Sequence, residues 1–584
     1  MSSISSSEKG ISIYFVMFSF LLALVLILSN VLHKRPSLAA RIPEAGMILL
    51  VGIISGTLVM LLLKPQMNDD SAIENLLSFS PEVFFMALLP PIIFNSGYHL
   101  HGEIFLRHFK PICLFACLGT LISTIVIGLV LKAVVALNMT GDFHLTWAEL
   151  FTFGALLSAT DPVSTLAVFQ SKRVDPHLFY LVFGESVIND AVGLALFNAF
   201  SKFVKQNNGV DQVAAGVLTL FFEFTVDFIG SSVLGFLAGL LAAGLFKFND
   251  IRQSPLLELS LYVLIMYVPY LIADILDLSG IVTILFTGVA AQRYCVPNLS
   301  LATQNNADIL FRLAAHIAET AIFLEMGLSA YSTFALGGNF QWQFFLWAIL
   351  ACLLARAVNV YPITFFFNRY LDTQMKKRRK PYNGKPELVN TELALMDERD
   401  KDQIDAKILD IDEQSMHPSQ SDLKIEWKTA HMLWYSGLRG AVAYACVRSF
   451  PDTFDHQMEL VAVTMAIILV TVFLLGSTTE SVLYLLKIAT NVDEDSYMAC
   501  SQNVQTLSSS FLKFEEMYIQ RMVIRDFYPL NGNIVQLNLT SPEEMQSNYQ
   551  HQNEMSHCEF SVTNQQECKK KESLYDYGFH EPNN

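Results

Sequence analysis

Charged side chains are scarce in this sequence. Of its 584 residues only 16% are Asp, Glu, Lys or Arg, whereas 52% are hydrophobic and the mean hydropathy is +0.40. A soluble chain carries about a quarter charged residues, so the composition excludes an ordinary soluble protein. The apolar residues also fall in blocks long enough to cross a hydrocarbon layer, which takes about 20 helical residues. The sequence therefore predicts an all-α polytopic membrane protein.

Several functional signatures are missing as well. The Walker A pattern GxxxxGK[ST] is absent from the sequence, which argues against an ATP-driven pump. There is no basic patch interleaved with aromatic residues, so we expect no nucleic-acid partner. None of the eight cysteines pairs with another in a loop that we place outside, so no disulfide framework is expected. We expect a transporter without an organic cofactor or catalytic residues, and not an enzyme.

Hydropathy predicts about thirteen membrane-spanning helices. The apolar blocks cover 11–32, 45–63, 81–97, 110–137, 149–169, 179–203, 216–246, 258–276, 279–293, 310–335, 341–368, 428–449 and 457–487.

Basic residues set the expected orientation. Lys34 and Arg35 follow the first block, and further basic residues recur in alternate loops, such as Lys172 and Arg173. The positive-inside rule then puts the N-terminus outside and, with an odd number of spans, the C-terminus in the cytoplasm.

Asn138 begins an Asn-X-Thr sequon in an outside loop and is a predicted glycosylation site. The first block is longer than a signal-peptide core, which favours an uncleaved helix, although cleavage stays open.

Two polar regions lie on the cytoplasmic side of this scheme. Residues 371–427 are predicted to be a flexible insertion, and the chain after about residue 540 is predicted to be disordered. Between them, 511–527 has the spacing of an amphipathic helix. That helix could lie on the membrane surface, bind a regulatory protein, or pack on the protein's own cytoplasmic face. Its apolar positions are Phe511, Phe514, Tyr518 and Met522.

Three carboxylates lie within the apolar stretch Glu149–Phe200. Asp161 is in the fifth block, and Glu185 and Asp190 are in the sixth. Each charged side chain at a bilayer centre costs about 2.5–3.5 kcal/mol even on lenient scales. Such residues mark positions that an ion or a proton visits, so this stretch is the predicted working centre.

Two spans carry an interruption in the middle. Pro162 follows Thr160 and Asp161, and proline breaks a helix and frees backbone carbonyls. The twelfth block contains Ser436–Gly440 (SGLRG), in which two glycines flank Leu-Arg. Paired interrupted helices in two halves of a chain are typical of transporters built from inverted repeats. We therefore expect an oxygen-rich cation site at these breaks.

The sixth block supplies the remaining polar groups. Ser186 and Asp190 share one helix face, and Glu185 and Asn189 share the adjoining face. Asp190 can hold either a proton or Na⁺ or K⁺, and competition for one carboxylate is the simplest chemistry of an antiporter. Because Asn189 is neutral, the Asn-Asp pair offers one negative charge, which favours electroneutral one-for-one exchange.

Three alternatives to exchange would involve the same acidic residues. The carboxylates could merely pair with Arg356 and Arg439 to brace the bundle, and for Glu185 this reading is favoured. A cation channel would share the acidic residues but more often shows a pore loop or ring-forming repeat. An intramembrane aspartyl protease needs two facing aspartates, yet its GxGD context is missing.

Four motifs together resemble the eukaryotic sodium/proton exchanger family, over about residues 40–490. The residues of these motifs are most similar to those of the Golgi and endosomal exchangers. The motifs are ATDPV (Ala159–Val163), GESVINDAV (Gly184–Val192), ARAVNVYP (Ala355–Pro362) and SGLRGAVAYA (Ser436–Ala445), with support from Pro90–Tyr98 and Ala318–Thr320.

The resemblance implies a homodimer in which an ion-carrying core moves like an elevator against a dimerisation domain. The orientation expected from the basic residues makes 1–10 an external N-terminus and 491–584 a cytoplasmic tail. The remaining regions are dimerisation-domain helices at 11–97 and 257–335, the core at 110–203 and 341–490, and a linker helix at 204–250.

The resemblance also implies roles for individual residues. Asp190 would bind the proton or, with Asp161, the Na⁺ or K⁺ ion, supported by Thr160, Asn189 and Ser186. Asp274 departs from the plasma-membrane exchangers, where glutamate is usual. The residues expected to brace the site are Glu185, Arg356, Arg439 and Glu319.

Overall fold

The structure is a computed structural model that describes residues 2–35, 43–63, 83–100, 102–141, 143–206, 213–336, 340–378, 424–452, 456–492 and 515–525. Throughout these ranges the regular structure is helical, with no β-strand, so the prediction of an all-α protein is confirmed. All contacts described below lie within the compact unit Met1–Ile524.

Eighteen helices are numbered here in chain order. The first nine are α1 (Ser2–His33), α2 (Glu44–Leu63), α3 (Leu89–Tyr98), α4 (Gly102–Cys113), α5 (Thr120–Ala136), α6 (Trp147–Ser158), α7 (Val163–Ser171), α8 (Pro176–Gln206) and α9 (Val213–Phe248). The others are α10 (Pro255–Ile275), α11 (Gly280–Ala290), α12 (Leu301–Leu336), α13 (Trp342–Arg378), α14 (Trp427–Tyr435), α15 (Ala441–Arg448), α16 (Gln457–Val470), α17 (Ser477–Leu486) and α18 (Arg521–Val523).

Within the described residues each apolar block is mostly helical, with interruptions in the fifth and twelfth blocks. Eight segments of the described chain are long and apolar enough to cross a membrane, and two shorter apolar helices lie at Glu44–Val59 and Phe84–Tyr98. The total of thirteen spans and their orientation stay predictions.

The fifth and twelfth blocks are each divided into two half-helices. The helix α6 ends at Ser158, and α7 begins only after Pro162. In the same way α14 ends at Tyr435, and α15 begins after Gly440. Both interruptions lie where proline or paired glycines weaken the helical backbone.

Several helices continue through a π-helical turn, in which an extra residue shifts the side chains that follow. One such turn, Leu114–Gly119, joins α4 to α5, and another, Thr471–Gly476, joins α16 to α17. The second turn lies beside the twelfth block and places Thr471 next to it, as described below.

Close packing through small residues holds other helices together. A Cβ atom on Gly52 of α2 would lie only 2.8 Å from Cα of Gly327 on α12. On α9 the backbone carbonyl of Gly235 accepts a hydrogen bond of 3.3 Å from the hydroxyl of Thr287 on α11. In a membrane, where lipid is as apolar as leucine, such close backbone contact is a main source of helix association.

The insertion and the tail differ in part from the sequence expectation. Helix α13 continues to Arg378, eight residues into the region predicted to be a polar insertion, and 379–423 lie outside the described residues. In the tail, 515–523 are helical as predicted, whereas Phe511 and Phe514 lie outside the described residues. The predicted disorder after residue 540 also falls outside them.

The start of α8 gives a testable stability effect. Asp175 precedes Pro176, and its Oδ1 accepts the backbone N–H of His177 at 3.1 Å, as an N-cap does. Burial raises the pKa of Asp175. A raised carboxyl pKa favours the folded state at acidic pH, and that contribution is lost as the pH rises through the folded-state pKa.

We therefore expect Asp175→Asn to keep the cap without the buried charge, and to leave thermal stability at neutral pH unchanged or slightly raised. Asp175→Ala should lose about 1 kcal/mol, because the cap is gone. Thermal unfolding of the detergent-solubilised protein at acidic and neutral pH compares the two variants. A stability loss in Asp175→Asn as large as that in Asp175→Ala would contradict this explanation.

Candidate functional site

The two interruptions contact each other directly. The backbone N–H of Asp161 donates to the carbonyl oxygen of Leu438 at 3.0 Å. The Arg439 Nη1 donates to the carbonyl oxygen of Ala159, also at 3.0 Å. The two half-helix pairs thus cross at their non-helical residues, and the backbone groups that each break leaves free are partly satisfied by the other.

Charged side chains lie at matching helix ends around this crossing. Helix N-termini carry partial positive charge and C-termini partial negative charge. The Asp161 carboxylate accepts the N–H of Val163 at 3.2 Å, at the start of α7, and also interacts with the N–H of Ala441, at the start of α15. The Arg439 guanidinium binds the end of α6 through Ala159. The site is thereby fixed by charge as well as by packing.

Arg356 of α13 completes this arrangement. Its Nη1 donates to Oε1 of Glu185, its Nη2 lies 3.3 Å from the other carboxylate oxygen, and both side chains are buried. The same Nη2 donates at 2.7 Å to the carbonyl oxygen of Leu433, in the last turn of α14. Glu185 is therefore an ion-pair partner in this structure, which brings together residues 171 positions apart in the chain.

Thr160 and Asn189 form a paired contact between the first break and α8. The backbone N–H of Thr160 donates to Asn189 Oδ1 at 3.0 Å, and Asn189 Nδ2 donates to Thr160 Oγ1 at 2.6 Å. The Ser186 hydroxyl donates to the Thr160 carbonyl at 3.3 Å. These contacts hold the break against the helix that carries Asp190.

Asp190 differs from Thr160, Asn189 and Ser186 in its hydrogen bonding, as do Arg356 and Arg439, whose buried Nε atoms also have no partner among the described residues. The Asp190 Oδ1 is buried and has no hydrogen-bond partner among the described residues. Its electrostatic neighbours are the carboxylates of Asp161 and Glu185. An anionic oxygen in that position is costly unless a proton or a cation binds to it. The chemistry of the donor set therefore suits one monovalent cation or one proton.

Two further carboxylates lie near the crossing. Glu319 of α12 has Asp161 and Glu44 as electrostatic neighbours, and Glu44 begins α2. Glu44 accepts a hydrogen bond from the Ser29 hydroxyl. Sequence reasoning missed Glu44, because its position next to a predicted span boundary gives no sign of a tertiary contact with α12.

Other contacts at the site were also not foreseen. The Thr471 hydroxyl accepts the backbone N–H of Arg439 at 3.2 Å, from the π-helical turn before α17. The Cys446 thiol of α15 is an electrostatic neighbour of Asp190. The exposed Asn138 lies in a turn after α5, with φ of 53°.

Gly440 is required by the close approach of Asp161. A Cβ atom at this position would lie 2.0 Å from Asp161 Oδ2 and 2.3 Å from Asp161 Cβ. We expect Gly440→Ala to displace the Asp161 carboxylate, to cost about 1–3 kcal/mol of stability through overpacking, and to reduce transport strongly. Gly244→Ala is the matched control, because a Cβ there meets nothing within 4 Å.

Both variants are compared by thermal unfolding and by transport in reconstituted vesicles. The control should be neutral or slightly more stable, since alanine is favoured over glycine in a helix. Equal transport by Gly440→Ala and Gly244→Ala would show that the Asp161 position does not matter.

Comparison with known proteins gives consistent matches. The family model described as sodium/hydrogen exchanger, transmembrane, matches residues 17–484. Sodium/hydrogen exchanger 8 of Homo sapiens is 30% identical over 482 residues, which cover 82% of this chain and 72% of that protein. Sodium/hydrogen exchanger 9 of Equus caballus is 34% identical over 462 residues, covering 77% of this chain and 63% of that protein.

A solved structure shares the fold. The sodium proton antiporter MjNhaP1 from Methanocaldococcus jannaschii, determined at pH 8, matches with a TM-score of 0.51 at 15% identity, over 82% of this chain and 97% of that chain. At this identity the match concerns the fold alone.

Proposed function

Because this chain belongs to the sodium/hydrogen exchanger family, we propose that it is a secondary antiporter that exchanges Na⁺ or K⁺ for H⁺ across a membrane. One observation carries the proposal: Asp190, in the middle of an apolar helix, has a buried carboxylate oxygen with no protein hydrogen-bond partner. Asp161 is the nearby carboxylate that shares the cation.

Asp190 binds either ion, but not both together. When it is protonated, the carboxyl group is neutral and its affinity for a cation is lost. When it is ionised, a dehydrated Na⁺ or K⁺ can bind between Asp190 and Asp161, with the oxygen atoms of Thr160, Ser186 and Asn189 close by. Hard monovalent cations are bound by oxygen ligands of this kind. Exchange follows because only the occupied, neutralised site crosses the membrane, so an ion that is released on one side must be replaced before the site returns.

The charges at the crossing support one-for-one stoichiometry. Within the core, three carboxylates (Asp161, Glu185 and Asp190) face two guanidinium groups (Arg356 and Arg439), which leaves one excess negative charge; Glu319 and Glu44 belong to α12 and α2, outside the core. A single proton or a single monovalent cation neutralises it. Both loaded forms of the site are then electrically equivalent, and neither form carries net charge through the membrane. Buried net charge is costly, so this balance favours electroneutral exchange.

The site is carried between the two sides by movement of the core. In this scheme the core, 110–203 and 341–490, contains both broken helices and α8, and it moves like an elevator against the dimerisation domain of a homodimer. Glu319 of α12, an electrostatic neighbour of Asp161 and Glu44, belongs to the dimerisation domain in this scheme. The residues of the motifs favour a Golgi or endosomal membrane, where exchange of this type would set luminal pH.

Reconstitution tests exchange against simple conduction. Vesicles that contain the purified protein and a pH-sensitive dye receive an outward Na⁺ or K⁺ gradient, with the membrane voltage varied independently. We expect cation-driven proton movement whose rate does not depend on voltage. Cation flux that follows the voltage and is not coupled to protons would instead show a channel.

A further inference from the structure

Tyr444 joins two parts of the protein that the proposed elevator movement displaces against each other. It belongs to α15, in the core, and its hydroxyl lies 2.6 Å from the hydroxyl of Ser329 on α12, a helix of the dimerisation domain in that scheme. Both side chains are buried, each at 1% exposure. A hydrogen bond between two sliding surfaces breaks whenever they move. Because a buried hydroxyl that loses its partner is costly, the contact has to be replaced by another in the second position.

Ser329 determines the direction of this hydrogen bond. The Ser329 hydroxyl donates to the carbonyl oxygen of Met326 at 3.1 Å, and a hydroxyl has only one hydrogen to donate. Tyr444 is therefore the donor and Ser329 the acceptor. In any other position of the core, Tyr444 needs an acceptor from α12 in the same way.

Glu325 is a second acceptor on the same face of α12. It precedes Ser329 by four residues, so the two side chains follow each other on one helix face, about 6 Å apart along the axis. Glu325 is buried, at 4% exposure, and is an electrostatic neighbour of Tyr444. Burial of a carboxylate is costly unless donors reach it. A phenol that donates to Glu325 during part of the transport cycle would offset some of that cost.

The ion site and Tyr444 move together because both involve α15. The N–H of Ala441, at the start of this helix of 8 residues, interacts with the Asp161 carboxylate. Cys446, in its last turn, is an electrostatic neighbour of Asp190. Tyr444 lies between these two contacts, so a displacement of the ion site along α12 displaces Tyr444 with it. Shifts of one element past another by one helical turn, about 5.4 Å, occur in switching proteins.

We propose that Tyr444 steps between two acceptors on α12. It donates to Ser329 in this structure, and to Glu325 when the core has moved about one helical turn towards the N-terminal end of α12. The inference rests on the elevator movement of the proposed function and adds the contact that defines its two end positions. Midway between the two acceptors the phenol loses its hydrogen bond to α12. The core therefore favours two discrete positions over those between them.

Distance measurements on the full-length protein test the step. Spin-labelled amino acids are incorporated in place of Lys424, which is exposed in the core, and Arg312, which is exposed on α12. Pulsed electron paramagnetic resonance in lipid vesicles gives the distances between the two labels, with labelled protein diluted in unlabelled protein so that distances within one chain are measured. The wild type should show two distances, one for each position of the core.

The two acceptors should shift the populations of these distances in opposite directions. We expect Ser329→Ala to change the ratio about fivefold in favour of the second position, because it removes one hydrogen bond from the first. Glu325→Met has a similar volume but no carboxylate, and should change the ratio at least as much in favour of the first position. Glu325→Gln keeps a neutral acceptor and should have a smaller effect in the same direction, so it replaces Glu325→Met if that variant folds poorly.

Tyr270→Phe is the matched control. The Tyr270 hydroxyl donates to the carbonyl oxygen of Phe85 at 2.7 Å, and both residues belong to the dimerisation domain, so this variant should leave the ratio unchanged. Shifts in the same direction at Ser329 and Glu325, or no shift in either variant, would overturn the step but not the movement. A single wild-type distance at all cation and proton concentrations would overturn the movement and the step together. Coupled exchange is tested separately, by proton movement in vesicles.

Discussion

Asp190→Asn is expected to abolish cation-driven proton movement in reconstituted vesicles. Asparagine has nearly the shape of aspartate, but at ordinary pH its amide neither binds a proton nor offers a negative charge to a cation. The unpartnered Oδ1 of Asp190 contributes no hydrogen bond to folding. The variant should therefore unfold at a temperature no lower than that of the wild type, so that loss of transport cannot be ascribed to loss of the fold.

Asp308→Asn is the matched control for Asp190→Asn. Asp308 is a half-exposed carboxylate of α12 that contacts His99 at 2.7 Å and Arg312 at 3.2 Å. Ion pairs of this exposed kind contribute about 0–1 kcal/mol, and none of these groups lies at the crossing. We expect transport by Asp308→Asn close to that of the wild type. Full exchange by Asp190→Asn would remove Asp190 from the mechanism.

The Glu185–Arg356 pair should give the largest effect on stability. Removing one partner of a buried ion pair costs about 3–5 kcal/mol, because the other charge is left uncompensated. Both side chains are almost completely buried, and Arg356 also binds the end of α14 through the Leu433 carbonyl. We therefore expect Glu185→Gln and Arg356→Gln each to destabilise the protein strongly, with Arg356→Gln the more severe.

The double variant separates pairing from independent roles. If the two charges compensate each other, the double variant Glu185→Gln/Arg356→Gln should lose less unfolding free energy than the two single variants lose together. Chemical unfolding in detergent measures all three variants. The exposed pair of Lys424 and Asp372, 3.2 Å apart, is the control and should show little coupling. Additive losses at Glu185 and Arg356 would show that their contact is not an energetic pair.

Much of this architecture follows from local rules. The apolar blocks coincide with helices because a helix that satisfies its own backbone hydrogen bonds is one of few structures stable in lipid. The two breaks also follow from residue type, since Pro162 removes a backbone donor and Gly437 and Gly440 weaken the helix. The family resemblance stated from four motifs is confirmed by the match over residues 17–484.

Contacts that depend on the rotation of a helix, or on a residue distant in the sequence, could not be predicted in this way. Thr471 reaches the Arg439 backbone from a π-helical turn, and a single inserted residue leaves no trace in an apolar periodicity. Helix α13 continues through charged residues to Arg378, and hydropathy cannot predict a helix there because the residues are polar. The contact between Glu515 of the tail and Arg293 could not be predicted either, because the two residues lie 222 positions apart in the chain.

The dependence of cation affinity on pH tests most directly whether one carboxylate serves both ions. Initial rates of exchange in vesicles are measured over a range of Na⁺ or K⁺ concentrations at several pH values on the side from which the cation is taken up. Competition at Asp190 predicts that the apparent KM for the cation increases linearly with the proton concentration while the maximal rate stays constant. A KM that does not change with pH, with a maximal rate that falls on acidification, would contradict it and place the proton and the cation on separate sites.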